Sequence, residues 1–179
     1  MSIPAEDTFG KVVAPRVIEM QRLLPGPIER IWDYLTKSDL RQQWLASGDM
    51  DLKVGAPCEL VWHHDKTTTP PGKRPESMAS PESHLPSRIT ACDPPHKLGF
   101  MFWSDSEVIF ELKAVGTKVL LTLTHRNLPS RSMMVGVSTG WHTHLDVLAA
   151  RVSNEKIENF WDHWRAYKEL YETRLPSDA

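Results

Sequence analysis

Glu107-Val-Ile-Phe-Glu-Leu-Lys-Ala-Val115, a break at Gly116-Thr117, then Lys118-Val-Leu-Leu-Thr-Leu-Thr-His125: this stretch decides the fold. Both halves alternate with a period of two, the signature of half-buried strands. Val108, Phe110 and Leu112 form one set, against Ile109, Glu111 and Lys113. In the second half Val119, Leu121, Leu123 and His125 alternate with Leu120, Thr122 and Thr124. The sets with Phe110 and Leu121 should face a core. So short a turn joins only antiparallel neighbours.

Upstream, Lys97 to Trp103, Ser87 to Cys92 and Cys58 to Trp62 read as further strands, with a turn at Asp93-Pro94-Pro95. Met50 and Leu52 alternate with acids. Arg16 to Leu24 reads as a first strand, broken by Pro25-Gly26-Pro27. Ile28, Ile31, Trp32 and Leu35 then make a helical apolar stripe with Pro27 at its start. A second short helix follows, with Ser38 as the expected cap and Leu40 and Trp44 on one face. Downstream, Ser138 or Thr139 is expected to cap a helix through Val152, with Trp141, Leu145, Leu148 and Val152 as its stripe. After a break at Ser153-Asn154, Phe160, Trp161, Trp164, Tyr167 and Tyr171 keep helical spacing to about Arg174. These aromatics either cover the open end of the core or form a homodimer contact.

The segment 63–86 differs in kind. It holds five of the 14 prolines and almost no apolar residues, and it predicts a surface excursion that folding does not need. Residues 1–15 read as an N-terminal arm, leaving one domain over 16–175. With 179 residues and a net charge of −2, no basic surface for nucleic acid is expected. No apolar run is long enough to insert in a membrane. Met1 to Lys11 lacks an apolar stretch, so a cytoplasmic protein without a signal peptide is expected. Two cysteines, Cys58 and Cys92, fit a reducing compartment better than a disulfide framework.

The order of strand, two short helices, antiparallel strands and long helix is the helix-grip plan. Arg22-Leu-Leu-Pro-Gly-Pro-Ile-Glu-Arg-Ile-Trp-Asp-Tyr-Leu-Thr36, then Trp44-Leu45, resembles the opening of the START-related (SRPBCC) superfamily. The branch it looks most like is named for the activator of heat shock protein 90 ATPase. Cys92-Asp-Pro-Pro-His-Lys-Leu98, Leu121-Thr-Leu-Thr-His125 and Gly140-Trp-His-Thr-His-Leu-Asp-Val-Leu148 are similar to its later landmarks. The resemblance covers about Arg16 to Val152, and Phe160 to Leu175 is similar to an extension found in some members. It implies an α+β fold, a curved antiparallel sheet wrapped around a long C-terminal helix, with an extra C-terminal helix. It also implies a cavity, because the superfamily includes lipid carriers, hormone receptors, aromatic cyclases and oxygenase subunits. The branch name refers to a co-chaperone and does not by itself assign an activity.

A ligand pocket is expected between sheet and helix, lined by Phe110, Leu112, Leu121, Leu123, His125, Trp141, His144, Leu145 and Leu148. A packed core is the competing reading of each apolar member. His125, in phase with the inward set, is either a ligand contact or base, or a rim histidine bonded to backbone. No cofactor or metal is expected. His63 and His64 point apart on a strand, and His142 and His144 are two apart on a helix, the wrong spacing for chelation. The chain carries no Gly-rich phosphate loop and no GxSxG elbow. Binding of a small, largely apolar ligand, lipid-like or aromatic, is therefore the leading expectation. The alternatives are a co-chaperone-like interaction domain, with a part in stress response, and a cyclase or hydrolase using the same cavity.

Overall fold

The structure is a computed structural model and describes residues 8–177. Its elements run β1 (Lys11–Ala14), β2 (Val17–Pro25), α1 (Ile28–Thr36), α2 (Ser38–Arg41), β3 (Pro57–Trp62), β4 (Ser83–Asp93) and β5 (Lys97–Met101). They continue with β6 (Glu107–Val115), β7 (Lys118–Arg126), α3 (Arg131–Val152) and α4 (Phe160–Arg174). The strands form one antiparallel sheet in the order β1-β2-β7-β6-β5-β4-β3. It is curved and grips α3, the helix-grip α+β plan.

The alternation of β6 and β7 sets the inward face. Phe110 pairs with Leu123, Leu112 with Leu121 and Val108 with His125, all buried on one side. Ile18, Met20 and Leu24 of β2 and Leu98 and Phe100 of β5 extend that face. The 22-residue α3 lies over it, about 33 Å long at about 1.5 Å per residue. The sheet and α4 pack against α3, so polar His142, Thr143 and Asp146 are buried along with Leu145 and Leu148. Asp146 is held by Arg22 Nη2, which donates to its Oδ1 at 3.1 Å, and by the Tyr167 hydroxyl. Paired and hydrogen-bonded, a buried carboxylate is tolerated. Next to it, Gly10 N–H donates to the Tyr171 hydroxyl at 2.7 Å, and that hydroxyl lies 2.8 Å from His142 Nδ1.

Several local expectations change. α3 begins seven residues before Ser138, at Arg131, capped by the Ser130 hydroxyl, which accepts from Met133 N at 3.2 Å. Ser138 and Thr139 are buried in mid-helix, where Thr139 Oγ1 bonds back to the Val135 carbonyl at 2.8 Å. Ser38 opens α2 instead of capping it, and its hydroxyl accepts from Gly48 N at 3.0 Å. Gly48 sits at φ +114°, where a Cβ would stand 2.1 Å from the Glu59 carbonyl oxygen, so only glycine fits this crossing. Met50 and Leu52 make no strand. An isolated bridge from Met50 to Cys58 ties that segment to β3.

The expected arm over 1–15 is structured where it is described. Phe9 is buried and Lys11–Ala14 is an edge strand of the sheet, while residues 1–7 lie outside the described residues. The 63–86 excursion is shorter and less superficial than its composition suggests. β4 takes over at Ser83, and Thr67 and Thr68 are buried. This segment satisfies the start of α4. Thr68 Oγ1 accepts from Phe160 N at 3.0 Å, and the Pro70 and Pro71 carbonyls accept from Asn159 N and Trp161 N at 2.7 and 2.9 Å. The aromatics of α4 turn inward: Phe160, Trp161, Tyr167 and Tyr171 are all buried within the chain. Cys58 and Cys92 are free thiols, the first buried and the second half-buried.

Candidate functional site

Beyond the strand end of β5 the core stops being solid. A cavity of about 250 Å³ opens there, between the sheet's β3 side, α3 and α4. Trp62 ends β3, and Phe102 and Trp103 follow β5 into a turn where Ser104 takes φ +58°. This turn aims both rings at the cavity. Trp62 stacks on Trp103 at 5.0 Å between centroids and meets Phe102 edge-on at 6.0 Å. The facing wall is one side of α3: Met133, Gly136, Val137, Gly140, Trp141 and His144. Phe160 and Trp164 of α4 close the third side, with Leu45, His64, Met78 and Ser83 between. Trp103 and Gly136 are exposed and mark the mouth.

Gly136 and Gly140 lie one turn apart, and a Cβ on either would find no heavy atom within 4 Å. The helix backbone itself is therefore part of the wall.

Of the nine expected pocket residues, Trp141 and His144 line this cavity. Phe110 stands one ring behind, edge-on to Trp141 at 5.7 Å. Leu112, Leu121, Leu123, Leu145 and Leu148 are packed as core and do not reach it. The phase assigned to the strands matches, but α3 covers the middle of that face and displaces the void toward the β3 side. His125 is also behind the wall, fully buried. Its Nδ1 accepts from Trp141 Nε1 at 3.0 Å, which leaves the proton on Nε2, 2.8 Å from Ser106 Oγ. The Ser106 hydroxyl in turn donates to the Trp103 carbonyl at 2.7 Å. With both nitrogens used and desolvation holding its pKa down to about 3, His125 is a structural pin for two cavity aromatics, not a base.

His64 and His144 are the polar end of the cavity. Their ring centroids are 5.3 Å apart, and both pack on Phe160. His144 Nδ1 donates to the Trp44 carbonyl at 2.6 Å, so its Nε2 carries a lone pair, with no partner among the described residues. Burial lowers its pKa to about 3, and His64 beside it adds to the effect. Burial likewise lowers His64 to about 4, and its buried Nδ1 has no partner among the described residues. Both rings are neutral near pH 7. Among the described residues no three His, Cys, Asp or Glu side chains converge as a metal site. Trp62, His64, Met78, Phe102, Trp103, the two glycines, Phe160 and Trp164 were not anticipated at this site. Only the tryptophan load and two glycines in one helix hint at them.

A curved sheet gripping a helix beside an apolar cavity defines an SRPBCC-type protein of the activator-like branch, and this fold is one used for ligand binding. The chain belongs to the family described as Activator of Hsp90 ATPase homolog 1-like protein, whose model matches residues 25–153. It is similar over 98% of its length to 96% of the protein encoded by gene BPP1335 of Bordetella parapertussis, at 34% identity and a TM-score of 0.80. CalU16 from Micromonospora echinospora shares the fold at 21% identity, TM-score 0.64, covering 87% of this chain and 86% of CalU16. DynU16, a putative protein in the dynemicin biosynthetic locus, shares it at 16% identity and TM-score 0.60, over 77% of this chain and 47% of DynU16. No functionally curated protein matches the sequence. No helix among the described residues is long and apolar enough to cross a membrane.

Proposed function

We propose that this protein binds a small, mostly apolar molecule, an aromatic of one or two rings, in the cavity between β3, α3 and α4. One observation carries the reading: a void of about 250 Å³ walled by Trp62, Phe102, Trp103, Trp141, Phe160 and Trp164 stands open beside a solid core. An apolar cavity of about 150 Å³ suffices for benzene, so this one admits a second ring. Rings in the wall can stack on or meet edge-on an aromatic guest. A co-chaperone-like role would not require such a void. A cyclase or hydrolase would require a base, and neutral imidazoles of low pKa serve that role poorly near pH 7.

The test is titration with naphthalene, followed by tryptophan fluorescence and by NMR of the indole N–H signals. Saturable binding that shifts the Trp62, Trp103 and Trp141 signals is expected. Gly140→Leu, which puts a side chain into the void, should abolish it while leaving the circular dichroism unchanged. Binding that survives Gly140→Leu would move the site elsewhere. No binding up to the solubility limit would overturn the reading.

A further inference from the structure

The two histidines at the cavity's inner end constrain the ligand further, a deduction that rests on the binding reading above. An apolar wall has no need of imidazoles, and leaving a buried nitrogen without a partner is costly. Here both histidines that line the cavity carry a ring nitrogen with no partner among the described residues: His144 Nε2, which is not sealed from solvent, and the buried Nδ1 of His64. The first has a defined character. Because Nδ1 of His144 is the donor to the Trp44 carbonyl, Nε2 is an acceptor and asks for a hydrogen-bond donor. Among the described residues no hydrogen bond fixes the tautomer of His64, which can offer either an N–H or a lone pair. A hydroxyl, which donates and accepts at once, matches both rings. A carboxylate, which only accepts, does not match His144.

We infer that the ligand carries a hydroxyl, as a phenol or naphthol does, and that this group donates to His144 Nε2 while its ring lies against the bare backbone of Gly136 and Gly140. His144 and His64 thus determine specificity, and the apolar rings supply the bulk of the affinity. Phe160 fixes the geometry, since it touches both imidazoles, at centroid separations of 5.5 and 5.0 Å. A site built around a hydrogen bond discriminates against an analogue lacking the donor, because the protein's own acceptor is then left unpaired.

The experiment compares three probes of matched size: 2-naphthol, 2-methoxynaphthalene and 2-methylnaphthalene. Dissociation constants for the full chain are measured by tryptophan quenching. The hydroxyl compound should bind about tenfold more tightly than either of the others, the scale of one buried neutral hydrogen bond. In His144→Asn the amide nitrogen can replace Nδ1 at the Trp44 carbonyl, but nothing replaces Nε2. The advantage of 2-naphthol over 2-methylnaphthalene should fall below about twofold there. A second readout needs no variant. The ¹⁵N resonance of unprotonated His144 Nε2 should move upfield with 2-naphthol and stay in place with 2-methylnaphthalene. Equal affinities for all three probes, each lost in Gly140→Leu, would overturn the hydroxyl inference and leave the cavity reading standing. A naphthol advantage that persists in His144→Asn, or an unmoved Nε2 resonance, would overturn it as well. Failure of all three probes to bind would overturn both readings.

Discussion

Acid should unfold this protein through its histidines before its carboxylates. His125, His142 and His144 are buried, and desolvation holds their pKa values down to about 3, 2 and 3. In the unfolded chain each returns to about 6.5. Every native value thus lies below its unfolded value. Between those limits the unfolded chain binds protons that the fold refuses, so stability falls as pH falls. By pH 5 each histidine forfeits about 2 kcal/mol relative to neutral pH, at about 1.36 kcal/mol per pH unit. The three together give about 6 kcal/mol, comparable with the whole stability of an ordinary domain. His64, only half-buried, adds less in the same direction. Exposed His84, raised by its bonds to Glu82 and Glu59, works weakly in the opposite one. Guanidinium titrations at pH 7.5, 6 and 5 measure the slope, and imidazole NMR assigns it. A free energy of unfolding that stays within about 1 kcal/mol from pH 7.5 to 5 would refute the reasoning. So would titration of any of the three above pH 6.

Two further outcomes follow from the packing. Deleting residues 67–80 should cost several kcal/mol and lower Tm by about 10 °C or more, because α4 loses the partners of its first amides. An unchanged Tm would mean that α4 starts without them. Trp141→Ala should cost about 3–5 kcal/mol by loss of ring contacts to Phe102 and Phe110. Trp141→Phe should still cost about 1–3 kcal/mol, since it strands the buried His125 Nδ1. A cost near zero for Trp141→Phe in chemical denaturation would show that this bond contributes nothing.

The sheet was readable because alternation is a strong local signal. Glu107–Val115 and the start of β7 at Lys118 fall where the period of two places them, and Phe160–Arg174 falls where helical spacing places α4. Helix starts were less readable. Gly136, Gly140 and the β-branched Val135 and Val137 weaken the local helical signal before Trp141, yet burial against sheet and α4 holds Arg131–Ser138 helical all the same. The 63–86 segment misled for a related reason. Its contribution is backbone and hydroxyl hydrogen bonding to α4 and burial of small polar residues, which hydropathy does not register.

The cavity was harder to place, because periodicity specifies which face of an element turns inward and says nothing about where along that face neighbours run out. That position is set by two irregular pieces, the Phe102–Trp103 turn and the His64–Met78 stretch, together with the first turn of α4. The glycines of α3 are the exception, and they carry an argument of their own. Each costs a helix interior about 1 kcal/mol against alanine. A glycine in that position is ordinarily explained by a neighbour too close for a Cβ. At Gly136 and Gly140 there is none within 4 Å. The packing therefore does not demand them, and what they leave behind is space. Gly136→Ala with Gly140→Ala should accordingly stabilise the protein by about 1–2 kcal/mol while weakening binding of a two-ring aromatic. Stabilisation without weakened binding would mean that the backbone of α3 is not where the ligand lies. Destabilisation would mean that the space around these residues is already filled.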